Sequence, residues 1–458
     1  MAANPLFAPI AKHRVTPATP CRADDGELDV DRCAALHNTL MLYGWICGGR
    51  KIAELKKQSW WSRHGSQPLQ AVLRPPLVRY LSKIFDVPDH CFFYHLRGLA
   101  QPGELLQLGD VREDRELGRE GGEKYRFVVL YATQKALVSH PAGLVYDQHA
   151  NRAILMPTYH HLFPLTHAEL PWQRLEAILS AYVDMAEAEK TLAVPATLHA
   201  DAGGIPGLAP WIAQPYTQRD LTSCLHTWKR LVDAIERKAG ITRGASDDLA
   251  RLCSRTALDV AGVPKGFAYD LLLHAEGSEI WFIAPGIRLP KVEEFLYQPF
   301  RDICKSYPAE TAGMKMPFLF LRCPGTVSGK EAKFRYPFST VAAVPCGLYL
   351  DAFPNAQNPF EDACRLVLPI RLGGNSYVRT SDFRPIRKSF SDLYQVEINP
   401  FVMRHGPKLV GVLENWLENV ESGHWSVNEK GVEGGLGVWR KADTREDWWR
   451  YQGKHMYL

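Results

Sequence analysis

The stretch Arg365–Asp382, RLVLPIRLGGNSYVRTSD, passes from an apolar segment through a double glycine into small polar and charged residues. An apolar run of strand length, stopped by Gly373 and Gly374, reads as a buried strand delivering a loop to a sheet edge. Open α/β proteins hold their ligands at such edges. The loop offers Asn375, Ser376, Tyr377, Arg379, Thr380, Ser381 and Asp382: hydroxyls, a cation and an anion. Three readings of its end stand side by side. Ser381 is a nucleophile if a base and oxyanion donors are near. Arg379 and Asp382 form an internal ion pair, or Asp382 anchors a cationic substrate through a charge-assisted contact.

Outward from this loop, helices and strands alternate through the second half of the chain, which predicts an α/β protein built in layers, with a Rossmann-like sheet as one form. Strands are expected at Tyr125–Ala132, Gly143–Asp147, Arg152–Pro157, Glu279–Ala284, Phe318–Arg322, Thr340–Leu350 and Arg365–Leu372. Helices are expected at Pro171–Lys190, Arg219–Lys238, Asp247–Leu258, Val292–Tyr307 and Lys408–Val420. Residues 1–24, rich in Pro, Ala and Thr, read as a flexible tail, 25–120 as a mainly helical region and 121–458 as an α/β catalytic region. The mixed-sign run Gly109–Lys124 marks the boundary.

A chain of 458 residues exceeds one ordinary domain, and its net charge of +4 neither demands nor excludes a nucleic-acid partner. The 10 cysteines form no C-x-x-C pair and no zinc spacing, so no metal is expected. No apolar run suits a signal peptide or a membrane span, which predicts a cytoplasmic protein with reduced thiols. Dinucleotide, P-loop, nucleophile-elbow and zincin motifs are absent.

Other chemistry-bearing residues have a bland reading as well. His160, in MPTYHHLFP, is either structural or an acid/base group, and on an extended segment it points away from its neighbour His161. Asp351 closes the apolar run TVAAVPCGLYLD and is a second candidate anchor for a cation, whereas Cys346 within that run reads as core. Lys229, Arg230, Arg237 and Lys238 on one helix, and Arg387 and Lys388 after the polar loop, are either solvated faces or phosphate contacts.

Six segments carry a resemblance: PWQRLEAILSAYVDM (171–185), APGIRLPKVEEF (284–295), CGLYLDAF (346–353), RLVLPIRLGGNSYVRTSD (365–382), LVGVLENWLENVESGHWSV (409–427) and GVEGGLGVWRKADTREDWWRY (431–451). From about Tyr125 to its end the chain resembles the fungal arginine-containing cyclodipeptide synthases. The resemblance implies an aminoacyltransferase of secondary metabolism that takes arginine from arginyl-tRNA and a second residue from another aminoacyl-tRNA. It joins them as a cyclo(Arg-Xaa) diketopiperazine without a cofactor. It further implies a nucleophile or positioned amine (Ser381, Ser376 or His160), oxyanion donors near Gly373 and Gly374, and acids for the guanidinium (Asp382, Asp351). Arg379, Asn375 and Tyr377 would line the substrate, and the six basic residues above would meet tRNA. The bacterial enzymes' H-x-apolar-apolar-G-apolar-S strand is not in this sequence, LPIRLGGNSY (368–377) being the nearest analogue. Two rival expectations remain: a small-molecule tailoring enzyme independent of tRNA, and a non-catalytic binding protein.

Overall fold

Phe127–Thr133, FVVLYAT, is buried at every position, so this strand is covered on both faces and reads as one continuous apolar run. It lies in a computed structural model that describes residues 4–22, 27–113, 124–158, 170–241, 251–453 and 457. The contacts divide the chain into two units, Met1–Gln214 with Asn399–Met403, and Pro215–Ile398 with Arg404–Leu458. That division falls inside the stretch read from the sequence as one α/β region. Both units mix helices with sheets, which gives the α/β class expected of the chain.

In the first unit, β1 (Leu96–Leu99), β2 (Phe127–Thr133), β3 (Pro141–Asp147), β4 (Arg152–Thr158) and β5 (Gln173–Arg174) form an antiparallel meander in chain order. β6 (Thr191–Ala193) and β7 (Trp211–Ala213) form a separate ribbon. Helix α1 (Val30–Cys47) packs on α2 (Pro75–Lys83) and on α4 (Leu175–Glu187), while α3 (Pro102–Glu113) packs on β2. Residues 4–22 lie along α1: Phe7 and Ile10 are buried, and the Arg32 guanidinium donates to the carbonyls of His13, Arg14, Thr19 and Pro20 at 2.6–2.8 Å.

The second unit is built on a seven-stranded sheet of β8 (Phe282–Ala284), β9 (Ile287–Arg288), β10 (Phe318–Val327), β11 (Val344–Leu350), β12 (Cys364–Val367), β13 (Val427–Asn428) and β14 (Gly431–Val432). Its order is β12-β11-β10-β9-β8-β14-β13, and every pairing is antiparallel except β14 with β8. Helix α5 (Gln218–Ala239) starts at a Thr217–Asp220 capping box and stops at Gly240 in the left-handed conformation. It packs on α7 (Leu409–Glu421); the short α6 (Phe267–His274) packs on α5.

The tail after α7 contributes Trp425, Val432, Trp439 and Tyr451 to the core, packed against Trp416 of α7. Trp416, Trp425 and Trp439 meet with ring centroids 5.5–6.3 Å apart, and the Trp439 indole donates to Pro285 O at 2.8 Å. Burying an indole of roughly 200 Å² contributes about 5 kcal/mol at most. That cluster anchors the 3₁₀ helix Leu436–Asp443, and with it the carboxylate at its end.

Among the described residues no helix is long and apolar enough to cross a membrane, and no cluster of His, Cys, Asp and Glu suits a metal ion.

Candidate functional site

β12 is the edge strand of the seven-stranded sheet, and it ends at Val367 rather than at Leu372. Pro369 has no N–H to continue a ladder. The chain instead makes a long irregular excursion closed by Leu372 and Ser389, which exchange backbone bonds of 2.9 Å. Nearer the tip, Ile386 N–H donates to Val378 O (3.2 Å) and Thr380 N–H to Arg384 O (2.9 Å).

Asp443 organises one arm of this excursion. Its buried carboxylate accepts four backbone N–H groups, from Gly373 (3.1 Å), Asn375 (2.8 Å), Tyr377 (3.0 Å) and Val378 (3.1 Å), and its carbonyl accepts from Asn375 Nδ2 (3.1 Å). Burial pushes the Asp443 carboxyl up, but the four N–H donors outweigh it and hold the group below the usual carboxylate range. Gly373 has φ +94°, and a Cβ there would stand 2.1 Å from Ile386 O, so only glycine fits the entry to the turn. The Gly373 amide, expected as an oxyanion donor, is thus already committed to an internal anion.

At the tip, Ser381 and Asp382 turn inward beneath Tyr394–Ile398. Ser381 N–H donates to Gln395 O (2.9 Å), its hydroxyl donates to Tyr394 O (2.8 Å), and its carbonyl accepts from the Tyr457 hydroxyl (3.0 Å). Asp382 is wholly buried. Its Oδ2 accepts from Ile398 N (3.0 Å), Glu397 N (3.3 Å) and Arg384 Nε (3.1 Å), whereas Oδ1 is buried without any hydrogen-bond partner. Burial, together with the negative charge of Asp382, pushes the Tyr457 phenol up, so Tyr457 stays a donor. Arg384 also pairs with Glu397.

Arg379 and Asp382 do not pair. Arg379 folds back to donate to Ser376 O (2.7 Å) and Val378 O (3.2 Å), and Arg384 takes its place beside Asp382. Asn375, Ser376 and Tyr377 are exposed on the outer arm, with Ser376 at φ +67°. Asp351 pairs with Arg365 (Oδ2–Nε 2.7 Å) across the β11–β12 edge, and no hydrogen bond or ion pair joins it to Asp382. The Arg335 guanidinium lies 3.7 Å over the Phe353 ring. Burial, assisted by the nearby charges of Arg404 and Arg365, outweighs the pull of Asp351 and lowers its basicity. His160 lies outside the described residues.

No protein-family model, curated protein or solved structure matches this chain. The site therefore rests on its own geometry.

The basic residues divide. Lys229 pairs with Glu276 (2.7 Å) and Asp233 (3.8 Å), Arg230 with Glu421 (3.8 Å), and Lys238 caps α7 at Val420 O (2.5 Å). Arg237, Arg387 and Lys388 are exposed and carry no ion pair.

Two features escape sequence reading. Asp443 sits in KADT, which carries no motif. A buried ionic cluster joins Asp362 to His405 (3.0 Å) and to Lys408 (3.6 Å), and Lys408 to Asp220 (3.4 Å). Burial lowers the Lys408 ammonium, but Asp362 and Asp220 outweigh it and raise the group. Of the four, only Asp220 had a signal, as the fourth residue of T-Q-R-D, three after the N-cap Thr217. It lies beside the backbone bridge Ala363–Lys408, and the burial of Asp362, His405 and Lys408 makes it a structural staple.

Proposed function

We propose that this chain is a tRNA-dependent aminoacyltransferase that joins arginine from arginyl-tRNA to a second aminoacyl group and closes a cyclo(Arg-Xaa) diketopiperazine. The observation that carries this reading is Asp382. It is an enclosed carboxylate in a segment of the resemblance, it holds one guanidinium through Oδ2, and its Oδ1 has no partner. A carboxylate in that state favours a further cationic donor, and a guanidinium supplies a planar fork of N–H groups. Substrate arginine would share or replace Arg384 there, with Asp351 as the weaker alternative because Arg365 already pairs with it.

The Ser381 hydroxyl is turned to the Tyr394 carbonyl, and among the described residues no imidazole is hydrogen-bonded to it or to the exposed Ser376. Direct aminolysis follows from this more readily than an acyl-serine. The α-amine of one aminoacyl-tRNA attacks the ester carbonyl of the other, a C–N bond forms, the ester C–O bond breaks, and the tRNA 3′-terminal ribose hydroxyl leaves with the amine's proton. The dipeptide's free amine then attacks its own ester, which closes the six-membered ring and frees the second tRNA. The reading needs no Rossmann-like sheet and no cofactor. Of the six basic residues expected to meet tRNA, Arg237, Arg387 and Lys388 are the ones not engaged in ion pairs or helix capping.

The tailoring-enzyme reading has one observation in its favour: Lys229, Arg230 and Lys238 are spent on contacts within the protein. Ribonuclease separates the two. Product formation from amino acids, synthetases and tRNA stops with ribonuclease under the first reading and survives it under the second.

A further inference from the structure

In the first unit, an open groove of about 540 Å³ is lined by Lys56, Lys57, Ser59, Ser62, Lys83 and Phe85, among others, with no acidic side chain in its lining. Its floor joins two extended segments through the Ser59–Phe85 bridge, with Trp60 N–H donating to Ile84 O (3.3 Å) and Asp86 N–H to Gln58 O (2.9 Å). Side chains of α1 fix one wall. Asn38 donates to Lys83 O (3.1 Å) and accepts from Phe85 N–H (2.8 Å), while His37 Nε2 donates to Phe85 O (3.0 Å).

The polar groups face outward with capacity in hand. Lys56 and Lys57 have no ion pair, and the Lys57 ammonium stands 5.9 Å over the Phe85 ring. Lys83 pairs only with Asp31. Ser59 Oγ accepts from Ser62 N–H (3.1 Å), which leaves its own hydrogen to donate. Lysines are point donors to phosphate oxygens, and a wall fixed in advance lowers the cost of ordering the site around an anion. The volume falls within the range of ligand sites, and the polar lining with one aromatic ring argues against an apolar occupant.

We infer that this groove binds a phosphate group, held by Lys56, Lys57 and the Ser59 hydroxyl, either of a nucleotide or of an RNA backbone. The test is calorimetric titration of the full chain at low salt with pyrophosphate, adenosine monophosphate and a short oligoadenylate. It compares the wild type with the Lys56→Ala/Lys57→Ala variant and with a control pair far along the chain, Lys305→Ala/Lys330→Ala. The groove variant should weaken binding at least roughly tenfold, whereas the control should change it less than about twofold. If oligoadenylate binds best, and the logarithmic salt slope falls by about 1.4 in the groove variant, the source is an RNA backbone. If the small phosphates bind as tightly as the oligomer, the source is a nucleotide-sized ligand. Absence of binding by all three probes overturns the site. So does a control pair that weakens binding as much as the groove pair.

Discussion

The Asp443 carboxylate accepts the backbone N–H of Asn375 at 2.8 Å, across 68 positions of sequence. With three further amides on the same two oxygens, the turn Gly373–Val378 is wrapped around an anion supplied by the protein itself. The outer arm of the excursion is therefore held from the Trp-rich tail, and the tip at Asp382 inherits its position from that hold.

Asp443→Ala removes the acceptor for all four N–H groups and should cost about 3 kcal/mol. Asp443→Asn should cost nearly as much, because one amide end would face donors with a donor. Hydrogen exchange at residues 373–378 is the direct measure, and unchanged protection in both variants would refute the role. Because the Asp443 carboxyl is held below its unfolded value, the stabilisation is complete above the ordinary aspartate range and is lost as pH falls through the folded value.

His95 has a second pH signature. It is fully buried, neither ring nitrogen has a partner, and burial pushes it down to about 3. The unfolded chain binds a proton that the folded chain refuses, so stability falls as pH drops from about 6.5 toward 3, at about 1.4 kcal/mol per pH unit. His95→Leu should remove that slope at this site and leave stability at neutral pH equal or higher, since it replaces unpaired polar atoms with apolar ones. Urea unfolding at neutral and mildly acidic pH reads both. A variant with an undiminished slope would show that His95 is not the group responsible.

Lys408→Met leaves Asp362 and Asp220 without their shared ammonium and should destabilise the second unit by about 3–5 kcal/mol. Thermal unfolding followed by tryptophan fluorescence measures it, and a loss below about 1 kcal/mol would mean that the buried pairs are not coupled.

Much of this fold was legible where physics is local. β2, β3 and β4 fall on the apolar runs, and α5 occupies Gln218–Ala239 against an expected Arg219–Lys238 because Thr217, Asp220 and Gly240 write its ends into the sequence. The expected helix Val292–Tyr307 is two helices, Val292–Leu296 and Arg301–Ser306. Pro299 cannot donate to a helix, and the side chain of Gln298 is turned to Leu319, whose N–H it accepts at 2.8 Å. The polar loop was legible as a loop, but the pairings within it were not. Arg379 and Arg384 are equally plausible partners for Asp382 by spacing, and only the fold-back of Arg379 onto Ser376 O decides between them. Asp443 was invisible, since nothing near it in sequence marks a carboxylate that closes on amides 65 to 70 positions away.

Ser381→Ala deletes a hydroxyl that donates to Tyr394 O and should cost about 1 kcal/mol of stability. Under direct aminolysis it retains most product formation. Abolished activity in a folded Ser381→Ala protein would restore the acyl-serine route and overturn the step proposed for it.

Whether Asp382 holds arginine for tRNA-dependent cyclisation is measured in a coupled reaction of arginine, the other amino acids, synthetases, tRNA and ATP, read by mass spectrometry with the wild type and with Asp382→Asn. The wild type should give a cyclo(Arg-Xaa) mass that disappears with ribonuclease, and Asp382→Asn should lose at least roughly a hundredfold, the range for breaking a buried charge-assisted contact. No arginine-containing cyclic dipeptide from folded wild-type protein with active synthetases, or full activity in Asp382→Asn, would contradict that role.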